Sequence, residues 1–572
     1  FFVGIPLVFL LIIGCSVVLV SPGQAMNSVA AASVPTLVVN ANQVLRPVTH
    51  VASGGLYGLG SDTSPSDSMV IPLHPKVFVQ MAPGGHQLPN GATTPGGDAL
   101  VVAPKAARAG ARVTIRMPDY YPNFPYKWVS WSNWLSVVDG QIAARKAATN
   151  ITNIEAWELW NEPDWTWNTA SAGSFNDGWV RTYREVRSKD STTPIQGPSY
   201  SYYNNSTMSA FLSNAKANNA LPNIISWHEL SGQGRIASDI SAYRALEASL
   251  GIGPLPISIE EYAETSEVGI PGSLVGYIAK FERGGIDNAE LAFWNQYGTF
   301  NDMVINNTQP NGAWWLYKWY GDMSGNMLVT TPPAQTGLDG AASLNSAGNQ
   351  VSVIVGGGSG ANAVTINGLY AFGSSAQVTL EYVPSSGRTG VQPGTTVLSV
   401  TNYAITNGSI TVPISNMSNT AGYHLLITPM GAATPTATPT HAPTATPTAT
   451  PTHAPTATPT SGGGSSCAVG YAVTNQWPGG FGASLVITNT GSTAINGWNL
   501  QFSFPDGQTI TQLWNGSYTQ SGNTVAITNV SYNGSIPAGQ SLSAPPGFNG
   551  SWNGANTAPT SFTLNGSPCS VI

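Results

Sequence analysis

The sequence predicts a multidomain protein: a (β/α)8 TIM barrel plus β-sandwich, a Thr/Pro-rich linker, and a C-terminal all-β sandwich. Three observations lead to this prediction. Apolar strand segments alternate with helical segments over residues 54–320. Segments with period-2 alternation then occupy residues 326–430. After a proline-rich segment, Cys467 and Cys569 bracket a last region rich in Asn, Gly, Ser and Thr.

Composition narrows the class of protein. Only 8% of the 572 residues are charged, well below the usual share of about a quarter, and the net charge is −7. A surface made of neutral polar residues is typical of secreted proteins that act on neutral polymers. Without an excess of basic residues, the chain lacks the positive charge that nucleic-acid-binding proteins use, and this class is excluded. No CxxC or His-rich pattern is present, so we expect no metal and no cofactor.

The first residues resemble an export signal. Residues 1–20 are nearly all apolar, and small residues follow at 21–25. Because no initiator Met or basic segment precedes them, we expect the chain to begin partway into a signal peptide over residues 1–25. Two alternatives remain, a lipoprotein cleavage box at Cys15 and a retained membrane anchor. The favoured reading is a secreted, extracellular protein without stable membrane association.

The barrel domain is predicted over residues 26–325. Candidate strands lie at 54–60, 76–81, 112–117, 154–160, 194–198, 224–229, 256–262 and 289–294. Candidate helices lie at 98–109, 134–149, 179–188, 238–250, 272–283 and 312–320. This rhythm is that of a (β/α)8 barrel. A doubly wound open sheet is the alternative, but no glycine-rich phosphate loop follows the first strand.

Three further segments follow the barrel. Residues 326–430 form the predicted β-sandwich, with strands at 350–355, 377–382, 409–413 and 423–427, and are expected to pack against the barrel. Residues 431–466 repeat Ala-Thr-Pro-Thr units, a composition that keeps a linker extended. Residues 467–572 form the last domain. A domain carried on a linker gives no reason to expect more than a monomer.

The last domain combines a predicted disulfide with unusual tryptophans. Cys467 and Cys569 in an exported protein are most simply a disulfide. Trp498 lies in an alternating strand and is predicted to be in the core. Three other tryptophans lie beside Gly, Pro or Asn, where an indole is harder to bury: Trp477, Trp514 and Trp552. Exposed indoles need a reason, and their flat faces stack on pyranose rings, which predicts polysaccharide binding.

Two predicted barrel strands end in carboxylic acids. Residues 154–163 read Ile-Glu-Ala-Trp-Glu-Leu-Trp-Asn-Glu-Pro and place Asn161 and Glu162 at the strand tip. Residues 256–262 end in Glu260, Glu261 and an aromatic. Barrel chemistry takes place at the carboxyl ends of the strands. Two acids facing each other there are what hydrolysis of a glycosidic bond requires.

The C-terminal domain is similar throughout its length to a family 2 carbohydrate-binding module of the cellulose-binding kind. The matching segments are residues 475–481, 487–498, 548–552 and 562–566. The resemblance implies a β-sandwich closed by Cys467 and Cys569. It also implies a planar strip of Trp477, Trp514 and Trp552 that binds a cellulose surface, with xylan as the other ligand to consider.

The barrel resembles clan A glycoside hydrolases, in which strand four ends in Asn-Glu-Pro and strand seven in the nucleophilic Glu. The segment 157–163 further resembles family 39. The resemblance implies retention of configuration with Glu162 as acid/base, protonated at working pH, and Asn161 bonded to the sugar 2-hydroxyl. Since adjacent strand residues point to opposite sides, one of Glu260 and Glu261 is expected to face the mouth. The family's Glu-aromatic pattern selects Glu261 as nucleophile.

Other strand ends supply candidate substrate-binding residues. His228 ends strand six, where the clan often places a partner of the nucleophile, and Trp294 ends strand eight like the clan's sugar platform, with core packing as its alternative. Glu158 is expected to be a structural carboxylate, paired with Arg116. Aromatic residues near the acid/base are predicted to divide between platform and packing: Tyr120, Tyr121, Phe124, Tyr126, Trp128, Trp131, Trp134, Trp165 and Trp167.

These features predict a secreted retaining β-glycosidase or endo-glycanase, targeted to cellulose by its C-terminal module. Xylan, glucan or mannan is the expected substrate class, and an arabinose-containing chain stays open. The alternative function is a non-catalytic, multivalent carbohydrate-binding protein. Carboxylates at both strand tips disfavour it, because a pure binder has no need of Glu162 and Glu261 at those positions.

Overall fold

The structure is a computed structural model that describes residues 34–87, 96–292, 294–430 and 466–572, apart from 478, 515, 530–532, 543–544 and 553–554. The predicted leader and residues 431–465 of the linker lie outside the described residues. The chain divides into two compact units at residues 445 and 446. Each unit is described by itself below.

Eight parallel strands close the predicted barrel, which confirms the fold class. They are Gly54–Leu56, Val77–Met81, Arg112–Arg116, Ile154–Glu158, Ile195–Tyr200, Ile224–Glu229, Ile257–Tyr262 and Asn288–Leu291. We number them as barrel strands one to eight. The short strands Val304–Ile305 and Gln309–Pro310 pair with each other after barrel strand eight.

Helices surround the barrel strands. They are Asp67–Val70, Ala99–Arg108, Trp131–Ala147, Pro163–Thr166, Thr169–Ala172, Phe175–Lys189, Asn205–Ala217, Ile236–Ser249, Pro271–Gly284 and Gly312–Gly321, with 3-10 turns at Ile71–Leu73 and Met117–Tyr120. A further 3-10 turn, Tyr370–Phe372, lies in the β-sandwich. The sequence analysis missed Asn205–Ala217, whose many Ser and Asn residues favour turns over helix. Asn204 caps it by accepting from the Thr207 amide. Among the described residues, no helix is both long and apolar enough to cross a membrane.

A nine-stranded sheet forms the β-sandwich. Its strands are Thr36–Pro47, Asn326–Thr331, Asp339–Leu344, Val351–Gly356, Gly360–Asn367, Ser375–Val383, Thr396–Ala404, Ile410–Met417 and Gly422–Pro429. The assignment of residues 36–47 to the barrel domain was wrong. This strand pairs with Asn326–Thr331 and Gly360–Asn367, and its alternation places Leu37 and Val39 in the sandwich core.

The sandwich packs against barrel helices, as the sequence analysis expected. Buried Asp339 accepts from Lys280 at 3.0 Å and from Arg283 at 2.7 Å, both on helix Pro271–Gly284. Trp319, on helix Gly312–Gly321, stacks on His424 of the sandwich with ring centroids 5.3 Å apart. Removing one partner of a buried ion pair is strongly destabilising. The pairs that Asp339 forms with Lys280 and Arg283 therefore couple the barrel to the sandwich.

His424 also lies in a hydrogen-bonded Ser-His-Glu row across three neighbouring strands. Its Nε2 is 2.9 Å from the Ser352 hydroxyl, and its Nδ1 is 2.7 Å from Glu381. The row resembles a hydrolytic triad, but such a triad needs backbone N–H groups free to bind an oxyanion. Ser352 lies on a strand that is paired on both sides within its sheet, and the Trp319 ring stacks on the His424 ring. We interpret the row as a structural clamp.

The second unit is the predicted all-β domain. Its strands are Cys467–Trp477, Gly480–Asn489, Ile495–Asn496, Asn499–Ser503, Thr509–Trp514, Ser517–Ser521, Thr524–Thr528, Ser535–Ile536, Gly547–Ser551, Phe562–Leu564 and Ser567–Val571. Trp498 is buried in its core, as predicted. The Cys467–Cys569 disulfide is confirmed. The side chains of Trp477 and Trp514 lie outside the described part of the chain, while Trp552 is half-buried and donates to the Gly480 carbonyl at 3.1 Å.

Loss of this disulfide will destabilise the second unit selectively. The bond closes a loop with a sequence separation of 102, and the chain-entropy estimate for such a loop is about 4 to 5 kcal/mol. We expect Cys467→Ser with Cys569→Ser to lower the calorimetric transition of the second unit and leave that of the first in place. An unchanged second transition would contradict the assignment.

A buried carboxylate on the outer face of barrel strand six makes the first unit sensitive to pH. Glu229 is 5% exposed and accepts from the Trp227 indole at 2.8 Å. Trp227 packs against Tyr203 and Tyr243, so both side chains face the helices. Burial raises the pKa of Glu229 to about 8, although the indole hydrogen bond opposes the shift.

This raised pKa predicts a loss of stability at alkaline pH. Because the folded state holds the proton more tightly, the contribution of Glu229 is complete below about pH 4.5 and is lost as the pH rises through about 8. Glu229→Gln keeps the acceptor for Trp227 but cannot ionise. We expect its free energy of unfolding, relative to that of the unmodified protein, to rise by roughly 3 to 5 kcal/mol from pH 5 to pH 9. Denaturant unfolding at both pH values measures this, and parallel pH profiles would refute it.

Candidate active site

Glu162 occupies a sharp turn between barrel strand four and a short helix. Its backbone is in the left-handed region, at φ 51° and ψ 52°, where few residues other than glycine occur. The turn is fixed on both sides. The Glu162 amide donates to the Ser199 carbonyl at 2.8 Å, and Pro163 opens the helix Pro163–Thr166. Strain of this kind is often found at functional sites.

Both carboxylate oxygens of Glu162 have partners. Oε1 lies 3.1 Å from Nδ1 of His228, at the end of barrel strand six, and Oε2 accepts from the Trp165 indole at 2.8 Å. Glu162 is 6% exposed. The carboxyl group is therefore held in one orientation at the mouth of the barrel.

A buried arginine connects three barrel strands below this carboxylate. Arg116, on strand three, donates from Nε to both oxygens of Glu158 at 2.9 Å. Its Nη1 donates to Oε1 of Glu261 at 2.6 Å. The predicted Arg116–Glu158 pair is therefore present. The same guanidinium also fixes Glu261, which the sequence did not reveal.

Glu260 and Glu261 both point into the barrel, so the expectation that they point to opposite sides of the strand was wrong. Each has a carboxylate oxygen 3.8 Å from Nε2 of His228. The strand pairing shifts register between Ile259 and Tyr262, and such a bulge breaks the strict alternation of side chains. Glu260 is fully buried and accepts from Gln196, whereas Glu261 is 9% exposed. Glu261 is thus the acid open to a ligand.

Glu162, His228 and Glu261 form a close cluster. One carboxylate oxygen from each acid and one ring nitrogen of His228 lie within 4.8 Å of one another. Such a group has the geometry of a cation site, but the Arg116 guanidinium already neutralises Glu261. Burial lowers the pKa of His228, while Glu261 and Glu162 raise it more, so the net pKa lies above the usual value.

Asn161 faces a second hydrogen-bonded group. Its amide nitrogen donates to the Tyr126 hydroxyl at 3.3 Å, and its buried Oδ1 accepts no hydrogen bond from the described residues. Tyr126 and Tyr57 both donate to Asp119, at 2.8 and 2.5 Å. Burial raises the pKa of Asp119 to about 6 against the opposing effect of Arg116. Because this Oδ1 has no partner among the described residues, it can accept a hydrogen bond from a hydroxyl group of a ligand.

The other predicted site residues lie around this centre. Tyr120 is half-buried and its ring contacts His86 and Tyr121. Trp294 is half-buried and packs against the barrel core. The roles predicted for Asn161, Glu162, His228, Glu261, Tyr120, Trp294 and the module tryptophans stay predictions.

Asp119 was missed by the sequence analysis. It follows barrel strand three in the 3-10 turn Met117–Tyr120, so it is an acid just beyond a strand tip. That position is the same signal that identified Glu162 and Glu261. The aromatic residues that follow Asp119 in the sequence led to its segment being interpreted as an aromatic cluster, so the acid itself was not identified.

Known proteins resemble both units. Residues 467–569 match the family described as cellulose binding domain. The solved structure of N2152 from Neocallimastix frontalis is 37% identical, with a TM-score of 0.66, and covers 69% of this chain and 100% of its own. The earlier resemblance to a cellulose-binding module is confirmed.

Two curated relatives are glycosidases. The 3-O-beta-L-arabinopyranosyl-alpha-L-arabinofuranosidase of Bifidobacterium pseudocatenulatum is 28% identical over 66% of this chain. The 3-O-alpha-D-galactosyl-alpha-L-arabinofuranosidase of Bifidobacterium longum subsp. longum is 27% identical over 66%. The chain spans 46% and 39% of their lengths. These likenesses confirm the resemblance to glycoside hydrolases.

The match to N2152 covers that protein completely and 69% of this chain, which is more than the second unit alone contains. The chain therefore belongs to the same family as N2152, and 66% of it is similar in sequence to a glycosidase. It also carries a cellulose binding domain at residues 467–569.

Proposed function

We propose that the protein is a secreted, retaining glycoside hydrolase of plant cell-wall polysaccharide, with Glu162 as acid/base and Glu261 as nucleophile. The observation that carries the proposal is the approach of their carboxylate oxygens to within 4.8 Å. Retaining enzymes need carboxyl groups about 5 to 5.5 Å apart, whereas inverting enzymes leave about 6.5 to 9.5 Å for a water molecule. The spacing favours double displacement.

In the first step Glu261 attacks the anomeric carbon while Glu162 gives its proton to the departing glycosidic oxygen. The bond to the leaving group breaks and a glycosyl ester with Glu261 forms. In the second step Glu162, now ionised, takes a proton from water. The resulting hydroxide attacks the anomeric carbon and releases Glu261.

Arg116 and His228 assist from fixed positions. The Arg116 guanidinium, 2.6 Å from Glu261, pairs with the nucleophile and orients it. His228 lies between the two acids, 3.1 Å from Glu162 and 3.8 Å from Glu261. From this position His228 hydrogen-bonds the Glu162 carboxyl group and orients it for proton transfer in both steps.

We infer that α-L-arabinofuranosyl groups are the first glycone to test. Both curated relatives that align over 66% of the chain are named arabinofuranosidases. The cellulose binding domain supports action at the plant cell wall, where such groups decorate other polysaccharides. Export into the medium follows from the same reasoning, since cellulose is extracellular.

Removing either acid should impair turnover, by a different route for each. Glu162→Gln removes the proton donor, and we expect hydrolysis of unactivated glycosides to fall by about 10²- to 10⁴-fold. Glu261→Gln removes the nucleophile and should leave no glycosyl-enzyme. Product release from 4-nitrophenyl arabinofuranoside, xyloside, glucoside and mannoside, and from arabinan, arabinogalactan, xylan, mannan, β-glucan and cellulose, measures both.

Glu229→Gln is the matched control, because it makes the same chemical change on the outer face of barrel strand six, next to the strand that carries Glu261. It should retain full activity at pH 5. Azide should restore turnover of an activated glycoside by Glu162→Ala and yield a glycosyl azide of retained configuration. Full activity in Glu162→Gln would overturn its role as acid/base. No product release by the intact protein from any of these substrates, with cellulose binding intact, would support the non-catalytic binding protein instead.

Deleting residues 446–572 tests the role of the second unit. Because the first unit has its own core, we expect unchanged turnover of a soluble nitrophenyl glycoside. Retention on crystalline cellulose and release from cellulose-containing cell walls should both fall, since tethering raises the local concentration without altering the site. Equal cellulose retention with and without the second unit would contradict this role.

A further inference from the structure

Two large aromatic side chains stand exposed beside the predicted acid/base. Trp165 is 53% exposed and Phe124 is 44% exposed, and their rings meet edge to face with centroids 5.2 Å apart. The neighbouring Trp160 and Trp167 are only 2% and 8% exposed. Exposed aromatic pairs cost free energy in water, so a pair at this position points to a ligand.

Trp165 is held in place by the turn that carries Glu162. Its amide donates to the Glu162 carbonyl at 3.2 Å, and its indole donates to the Glu162 carboxylate at 2.8 Å. Thr166 ties the same turn to barrel strand four by donating to the Asn161 carbonyl at 2.7 Å. The Trp165 ring is therefore a fixed surface and not a mobile side chain.

Phe124 is supported from the other side. Its ring contacts Tyr126 edge to face, with centroids 5.4 Å apart. Tyr126 is itself fixed by hydrogen bonds to Asp119 and from Asn161. Both exposed rings thus rest on residues that also hold Asn161 and Glu162, which couples the aromatic pair to the reaction centre.

The contacts of Glu162 show which side of it each part of a substrate occupies. Its Oε1 faces His228 and, beyond it, Glu261, so the sugar that is attacked lies on that side. Its Oε2 faces Trp165. The group that departs with the protonated oxygen is therefore next to Trp165 and Phe124. An indole N–H only donates, so it orients the carboxyl group without taking its proton.

We propose that Trp165 and Phe124 form the leaving-group subsite and that it binds a sugar ring by stacking on its apolar face. Trp165 is in addition a positioning residue for Glu162 through its N–H. The inference rests on the proposed function and deepens it. The natural leaving group is a saccharide, and small alcohols leave this subsite empty.

The test separates the aromatic face from the N–H. Trp165→Phe keeps a ring and loses the donor, Phe124→Ala removes only a ring, and Trp165→Ala removes both. Tyr370→Ala is the control, because Tyr370 is a 71% exposed aromatic in the β-sandwich. Each is assayed with arabinotriose and with methyl α-L-arabinofuranoside, whose leaving groups are a sugar and methanol.

We expect Phe124→Ala to raise KM for arabinotriose by about tenfold more than it raises KM for the methyl glycoside. Trp165→Phe should lower kcat for both substrates and shift the pH profile, with little change in KM. Trp165→Ala should show both effects, and Tyr370→Ala neither. Equal KM changes for the two substrates would overturn the subsite, and an unchanged pH profile in Trp165→Phe would overturn the positioning role.

A partition experiment distinguishes failure of the subsite from failure of the proposed function. The glycosyl-enzyme formed from 4-nitrophenyl α-L-arabinofuranoside is offered arabinose and methanol as acceptors. We expect Phe124→Ala to reduce transfer to arabinose relative to methanol by about tenfold. An unchanged ratio would overturn the subsite alone. If the intact protein cleaves none of the glycosides, the proposed function falls and the subsite with it.

Discussion

The interaction on which the barrel interior depends is the buried guanidinium of Arg116. It is 1% exposed and contacts Glu158 and Glu261 directly, while Glu260 and Glu290 lie fully buried nearby. Isolated buried charges are very costly, so these acids are compatible with one fold only if they are paired or neutral. Burial raises the pKa of Glu290, and the charge of Glu260 raises it further. Glu290 therefore keeps its proton, and Arg116 serves the acids nearer the mouth.

This arrangement explains why the two acids at the mouth differ. Glu261 has a full positive charge 2.6 Å away, whereas Glu162 has only the His228 ring and the neutral Trp165 indole. A charge-assisted hydrogen bond from a fixed guanidinium orients a carboxylate more strongly than a neutral donor does. These surroundings support the proposed roles of Glu261 as nucleophile and Glu162 as acid/base. Two similar side chains thus lie in different environments because different strands flank them.

Sequence reasoning located the barrel and its acids but not their environment. The alternation of strand and helix segments predicted the eight barrel strands, and the Asn-Glu-Pro segment predicted that Glu162 ends strand four. Sequence reasoning was wrong at two other places. It failed at Glu260, since a bulge is a property of strand pairing and leaves no period in one strand. It failed for residues 36–47, because a strand that pairs with partners at 326–331 and 360–367 depends on contacts made across most of the first unit.

The aromatic residues after the acid/base show the same limit. Trp165 and Trp167 are two residues apart in similar surroundings, yet one is 53% exposed and the other 8%. The difference arises from the short helix Pro163–Thr166, which turns the Trp165 indole toward Glu162 while Trp167 packs on Trp160 and donates to the Gly173 carbonyl. Composition could indicate a platform near the site. Only the turn imposed by Glu162 and Pro163 decides which ring faces solvent, so one backbone feature sets both the acid and the surface beside it.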